Sequence, residues 1–371
     1  MKQPGVNQEG IGLIELMVSS IISLILIAAI VALTVSSSAA YRTQTNHSRI
    51  QENGRFAVSL MSRDIRMAGY FGCLQSTAQV YNNLDVGTTG SIYDTTYSLE
   101  GYEQNDDEWL PSSANVATLN ILPGTDAITI RFADISQSEQ LLPGTYGPRS
   151  TILAANTKPE WDFELGNVVV LSDCDKADVF QVTNDPSNNA LEHFSADSGS
   201  SGNTSPGNLT DSLGGETGSA YVASGIINGD AQVARLYAAR YFVRLRDIDN
   251  PAAGVALYRN FITTEGNSFS QEVVEGVENL QLLYGVDTDG DGVSDGFRKA
   301  DAVGGDLWNN VVSVQIGIVV RSSKEYGVLE EQQQAAGSEF ASLNVIGESI
   351  AIGSTSRFQR DVYTQTVYLR N

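Results

Sequence analysis

From Ile11 to Val35 the chain runs for 25 residues with one charge, Glu15, and no proline. At 1.5 Å per residue this stretch makes a helix of about 37 Å, enough to cross a hydrocarbon core of roughly 30 Å with some tilt. A lone carboxylate in such a helix costs about 2.5–3.5 kcal/mol at the bilayer centre and less near the interface. An acid placed near the helix start therefore needs something that offsets its cost.

The residues before the run suggest what that is. A short polar leader, 1–10, ends in Gly10, so the small residue precedes the apolar segment instead of following it as in an ordinary secretory signal. A cut between Gly10 and Ile11 leaves the helix on the mature chain. The new amine of Ile11 then lies about one helical turn from Glu15. This arrangement resembles the class III signal of type IV prepilins. That resemblance implies a membrane peptidase that cuts after Gly10 and methylates Ile11, and a Glu15 that meets the amine of a neighbouring subunit during fibre assembly. The leader departs from the usual pattern in having one lysine and Glu9 beside the glycine, and the first mature residue is Ile rather than Phe. The alternative is a plain signal anchor with a tolerated interfacial glutamate.

Composition narrows the rest. The 371 residues carry 44 acids against 22 bases, a net charge of −22, which disfavours nucleic acid and anionic membrane surfaces. Apolar residues at 42% suffice for a core. The two cysteines, Cys73 and Cys174, have no zinc-type spacing, and an exported chain sits in an oxidising compartment. We read them as a disulfide tying the helix end to a sheet, the alternative being two unpaired buried thiols.

The helix does not stop at Val35. Residues 36–69 stay helix-compatible, with Ile50, Ala57, Leu60, Met61 and Ala68 on one stripe, interrupted by Gly54 and Asp64. Arg49, Glu52, Arg55, Ser59, Arg63 and Arg66 occupy the opposite face, and Gly69 with Gly72 makes a stop. Beyond it, period-two patterns at Ala127–Phe132, Leu236–Leu245 and Val312–Val320, the apolar run Val168–Leu171 and a last face of Tyr363, Val367 and Leu369 predict antiparallel sheet. The expected organisation is α+β: leader 1–10, assembly helix 11–35, amphipathic continuation 36–69 and a β-rich head 70–371. A Gly/Ser-rich stretch at about 185–230 reads as a mobile loop without the means to build a core. It either separates two lobes or, as we prefer, is an insertion in a single domain.

Several blocks carry a family resemblance. Gln51-Glu52-Asn53-Gly54-Arg55 and Asp64-Ile65-Arg66-Met67-Ala68-Gly69-Tyr70-Phe71-Gly72-Cys73 are similar to the PilW family of minor pilins. Ser172-Asp173-Cys174 with Ala177–Phe180, Val277–Gln281 with Tyr284–Asp287, and Arg360–Val367 with Leu369-Arg370-Asn371 agree with it. The resemblance implies a pilin-like fold and a chain that helps initiate type IV pilus assembly, in support of motility and adhesion. Implied partners are other minor pilins, the major pilin, a tip adhesin and the prepilin peptidase. The implied location is the inner membrane before assembly, with the head in the periplasm, and the pilus afterwards.

One local motif stands apart from that resemblance. Asp287-Thr288-Asp289-Gly290-Asp291-Gly292-Val293-Ser294-Asp295 fits the front of an EF-hand-type calcium loop. Asp287, Asp289, Asp291, the Val293 carbonyl and Asp295 are the candidate ligands. Position twelve is Arg298 and the flanking segments read as strands, so the loop resembles the dockerin or thrombospondin-like use of the motif. The alternative is an acidic hairpin turn rich in Asp-Gly. No catalytic constellation is expected: the two histidines, His47 and His193, lie in no recognisable setting, and no phosphate or dinucleotide fingerprint occurs.

The reading from sequence is therefore a minor pilin. A J-type pseudopilin of type II secretion and a membrane-anchored, calcium-dependent adhesin are its rivals.

Overall fold

The computed structural model describes residues 12–74, 79–86, 91–105, 108–111, 114–154, 163–186, 190–195, 206–214, 220–223, 231–264, 266–323, 342–351 and 358–370. Two compact units emerge, 1–49 and 50–371. The helix α1, Leu13–Met67, contributes to both.

In the first unit α1 is apolar on every side over its first half, and residues 13–37 are all solvent-exposed. It is long and apolar enough to cross a membrane. Its polar side chains fold back on the backbone: the Ser20, Ser23 and Thr34 hydroxyls donate to the carbonyls of Leu16, Ser19 and Ile30 at 2.7, 2.7 and 2.8 Å. Each hydroxyl is thereby satisfied without water, as an apolar surrounding requires.

The second unit begins where α1 becomes amphipathic and ends its helical run at Met67, before Gly69 at φ 79°. The strands that follow are β1 (Gln79–Asn82), β2 (Leu99–Asn105), β3 (Glu108–Leu110), β4 (Ala127–Gln140), β5 (Gly144–Tyr146), β6 (Ile152–Leu153), β7 (Val168–Ser172), β8 (Lys176–Gln181), β9 (Ala190–Leu191) and β10 (Tyr221–Ala223). Then come β11 (Gln232–Leu245), β12 (Val255–Ile262), β13 (Ser268–Glu275), β14 (Val277–Val286), β15 (Gly296–Arg298), β16 (Val311–Arg321), β17 (Ser342–Val345), β18 (Glu348–Ala351) and β19 (Arg360–Tyr368). A short helix α2, Ala114–Ala117, lies between β3 and β4.

A nine-stranded sheet runs β1-β8-β7-β11-β4-β2-β3, with β12 on β11 and β13 on β12. Only the β1–β8 pair in it is parallel. A second sheet, β15-β14-β16-β19, is antiparallel throughout. Both sheets contribute to one core on the helix stripe: Ile50, Ala57, Met61 and Ile65 meet Ile128, Ala239, Tyr241, Leu280, Leu282, Ile316, Ile318 and Val367. Every member of that set is 1% exposed or less, so the stripe predicted from 3-4 spacing is where the head's largest apolar burial lies.

Two expectations need correction. Gly54 and Asp64 do not interrupt the stripe; both are buried within it. Gly54 lies under the Tyr363 ring, where a Cβ would overlap ring atoms. The stretch at 185–230 is not uniformly a loop without a core. Its residues 187–189, 196–205, 215–219 and 224–230 lie outside the described residues, but Leu191, Leu213 and Tyr221 are fully buried against Phe180 and Val182. Its polar groups are held as well. Gly214 N–H and the Tyr221 hydroxyl donate to Asp178 at 2.6 and 2.5 Å, and Asn208 Nδ2 donates to the Gln181 carbonyl at 2.8 Å. Low hydrophobicity was compensated by side-chain to backbone hydrogen bonds, which composition does not display.

Candidate functional site

Gly10 and Ile11 lie outside the described residues. Glu15 is described: it stands in the first turn of α1, exposed, with its backbone N–H on the Gly12 carbonyl at 3.0 Å. Among the described residues no cation pairs with its carboxylate. An unpaired carboxylate on an apolar helix is costly in lipid.

Asp64 holds α1 to the large sheet. Its side chain is buried on the helix stripe, and Oδ2 accepts from the hydroxyls of Tyr237 and Tyr241 at 2.7 and 2.6 Å. Its Oδ1 accepts from Arg63 Nε at 3.2 Å, and Arg259 Nη1 donates to the Tyr237 oxygen at 3.0 Å. Tyr237 and Tyr241 alternate on one face of β11, which is why both reach one carboxylate. Burial, then the adjacent Asp64 charge, pushes the Tyr237 hydroxyl up to about 12. Sequence reasoning treated Asp64 as a break in the stripe. The signal that could have found it is an acid on an apolar face, which is stable there only if hydrogen-bonded.

Cys73 and Cys174 form a disulfide with Cα atoms 4.8 Å apart. It closes a separation of 101 residues between the segment after α1 and the β7–β8 turn. A loop near that length corresponds to about 4.7 kcal/mol in the chain-entropy treatment, an upper figure.

The acidic motif is the loop of the β14–β15 hairpin, closed by the Val286–Gly296 pair. Gly290 and Gly292, both at φ 82°, make its turns. The Asp287 carboxylate accepts from the N–H groups of Gly290 and Gly292 at 2.7 and 2.8 Å. Those bonds, the Gly292 one foremost, hold its pKa below the usual value. Asp295 accepts from the hydroxyl and N–H of Thr288, which lower its pKa likewise. For Asp289 the Asp291 N–H pulls the pKa down, but the carboxylates of Asp291, Asp295 and Asp287 outweigh it and hold it above the usual value.

Asp287, Asp289 and Asp295 each bring one oxygen within 4.8 Å of the others. Of the other residues the motif named, Asp291 does not join that group; its Oδ1 accepts from the Val293 N–H at 2.7 Å, and the Val293 side chain is exposed. An all-oxygen set of three carboxylates suits a hard cation such as calcium. Arg298, at position twelve, lies exposed on β15.

The histidines are apart. His47 is exposed on α1. His193 is fully buried, tilted against the rings of Phe180 and Phe194, with Nε2 3.0 Å from the Ser150 carbonyl. Burial pushes its pKa below the ordinary value.

Residues 241–371 match a family model, PilW, described as type IV pilus-assembly protein W. The matched stretch spans the end of β11 and everything from β12 to β19, including the acidic loop and the last strand. Gly10, Glu15 and both cysteines precede it. No curated protein and no solved structure matches the chain.

Proposed function

We propose, from the match of residues 241–371 to the PilW model of type IV pilus-assembly proteins, that the chain is a minor pilin built into the fibre and used to start it. The observation that carries this reading is a helix whose first half is apolar all round, uncovered by its own chain and marked by a single acid. In the membrane, lipid covers that half. In a fibre, neighbouring helices replace the lipid, and Glu15 meets the amine of an adjacent subunit. The head, with a pilin-like relation of helix stripe to sheet, stays outside the membrane. Its size favours a place at the tip or base, since a bulky head is hard to repeat along a thin fibre. The partners are then other minor pilins, the major pilin and a tip adhesin, after processing by the prepilin peptidase at Gly10. No catalytic role is part of this reading.

Deleting the chain in its own cells is expected to remove most surface pili and the motility and adhesion that depend on them, and the full chain should restore them. Normal piliation with a lost secreted-enzyme activity would reassign it as a J-type pseudopilin. Normal piliation and secretion with lost attachment would favour the anchored adhesin.

The acidic loop is proposed as a calcium site of the head, supported by the convergence of Asp287, Asp289 and Asp295. Bound cation would stabilise the native state by mass action, about 2.7 kcal/mol at a hundredfold excess over Kd. The melting temperature of the full chain in detergent micelles is expected to rise with millimolar calcium and fall back with chelator. Asp289→Asn should weaken that response. Identical melts with and without calcium would return the loop to an acidic turn, leaving the pilin reading untouched.

A further inference from the structure

The second sheet has an open side. Among the described residues β19 pairs with β16 alone. Leu369 N–H donates to the Val312 carbonyl at 3.0 Å, and Ser322 N–H to the Gln359 carbonyl at 2.9 Å. With the register, these two bonds fix the direction of the strand's backbone groups: odd-numbered residues face β16, and Val362, Thr364, Thr366 and Tyr368 face away. Among the described residues nothing continues the ladder on that outer side. At its end, Arg370 N–H turns outward to the Arg66 carbonyl of α1 at 3.2 Å, so helix and strand edge meet there.

Between them lies a groove of about 700 Å³, lined on the helix side by Arg55, Phe56, Arg63 and Arg66 and on the strand side by Thr364 and Gln365. Phe56 is 53% exposed and Tyr368 66%. Natural sheet edges are ordinarily blunted by proline, inward charges or a bulge. Of the outward positions, Arg360 opens the strand and is tied to Glu278, and Val362, Thr364, Thr366 and Tyr368 after it carry no charge and no proline. In a chain of net charge −22, three arginines line one side of this groove, and among the described residues only Arg63 contacts a carboxylate, that of Asp64.

We propose that this groove takes up an extended acidic segment of a neighbouring subunit, which adds to β19 as a further strand. Main-chain bonds to the outward groups of Thr364 and Thr366 would supply the pairing, and Arg55, Arg63 and Arg66 would select acidic side chains. A second copy of the same chain is disfavoured, because two arginine-lined edges would repel. The source of the segment rests on the assembly reading; the groove itself does not.

The test uses the full chain in detergent micelles and, as probe, a short capped fluorescent peptide of alternating Thr, Val and Glu, with a Lys-for-Glu counterpart. The acidic peptide is expected to bind, and the lysine peptide at least about tenfold more weakly. Arg63→Glu with Arg66→Glu should reverse that preference. Thr366→Pro is the sharper variant: it removes one outward N–H and leaves the β16 ladder intact, so binding should be lost while the melting temperature holds. Gln365→Pro, whose N–H faces β16, should lower the melting temperature and serves as the folding control. No binding of the acidic peptide at about 1 mM, equal binding by Thr366→Pro, or a self-association that the charge reversal abolishes would each overturn the proposal. A Thr366→Pro chain still found in pili at the normal level would overturn the groove's role in assembly. A chain that binds the peptide yet never enters pili would overturn the assembly reading and leave the groove standing.

Discussion

Replacing Asp64 by leucine is expected to lower the stability of the head by about 3–5 kcal/mol, the range for breaking a buried charged network by removing one partner. The carboxylate accepts the hydroxyl protons of both Tyr237 and Tyr241 inside the core. Leucine removes the acceptor and leaves two buried donors, each costing about 1–3 kcal/mol when unsatisfied. Asp64→Asn should cost less, because an amide oxygen still accepts one of the two bonds. Denaturant titration of the full chain in micelles measures this. In a Tyr237→Phe, Tyr241→Phe background the same leucine substitution should lose much of its cost, since the orphaned hydroxyls are gone. An undiminished cost there would place the effect of Asp64 outside this network.

Glu15→Gln is expected to separate insertion from assembly. Glutamine removes the charge that makes the helix costly in lipid, so the amount of chain in the membrane should hold or rise. A hydrogen bond to a charged group contributes about 1.5–3 kcal/mol, and 1.4 kcal/mol corresponds to a factor of ten. Loss of the carboxylate should therefore reduce the chain's share in sheared pili by about tenfold or more. Quantitative blotting of membranes and pili from the same cells reads both numbers. Equal loss from both fractions would point to an insertion defect instead of an assembly role.

The parts legible in the sequence were those written in periodicity. The apolar run, the stripe from Ile50 to Ala68 and the alternation at Ile128, Ile130 and Phe132 each appear as an element in the structure, because burial on one face leaves a repeating mark. The disulfide followed from two cysteines without zinc-type spacing in a chain read as exported. What periodicity could not carry was polar satisfaction. Asp64 looked like a flaw because its partners lie more than 170 residues away on β11. Arg131, fully buried on β4, gave no signal for the same reason: it donates to the carbonyls of Ser91, Ile92 and Tyr97, backbone groups that no side-chain pattern reveals. The Gly/Ser-rich stretch misled because Leu191, Leu213 and Tyr221 are spaced too far apart to register as an element, yet each fills one core. The aspartate motif was legible as a loop, but not which acids converge, since that depends on which N–H each carboxylate turns to meet.

The most direct measurement of the central claim is mass spectrometry of the N-terminal peptide of this chain recovered from sheared, washed pili. The expected result is a peptide present in the fibre fraction, beginning at Ile11 and carrying an N-methyl group. A chain confined to the membrane fraction and beginning at Met1, or cut beyond Val35, would contradict it.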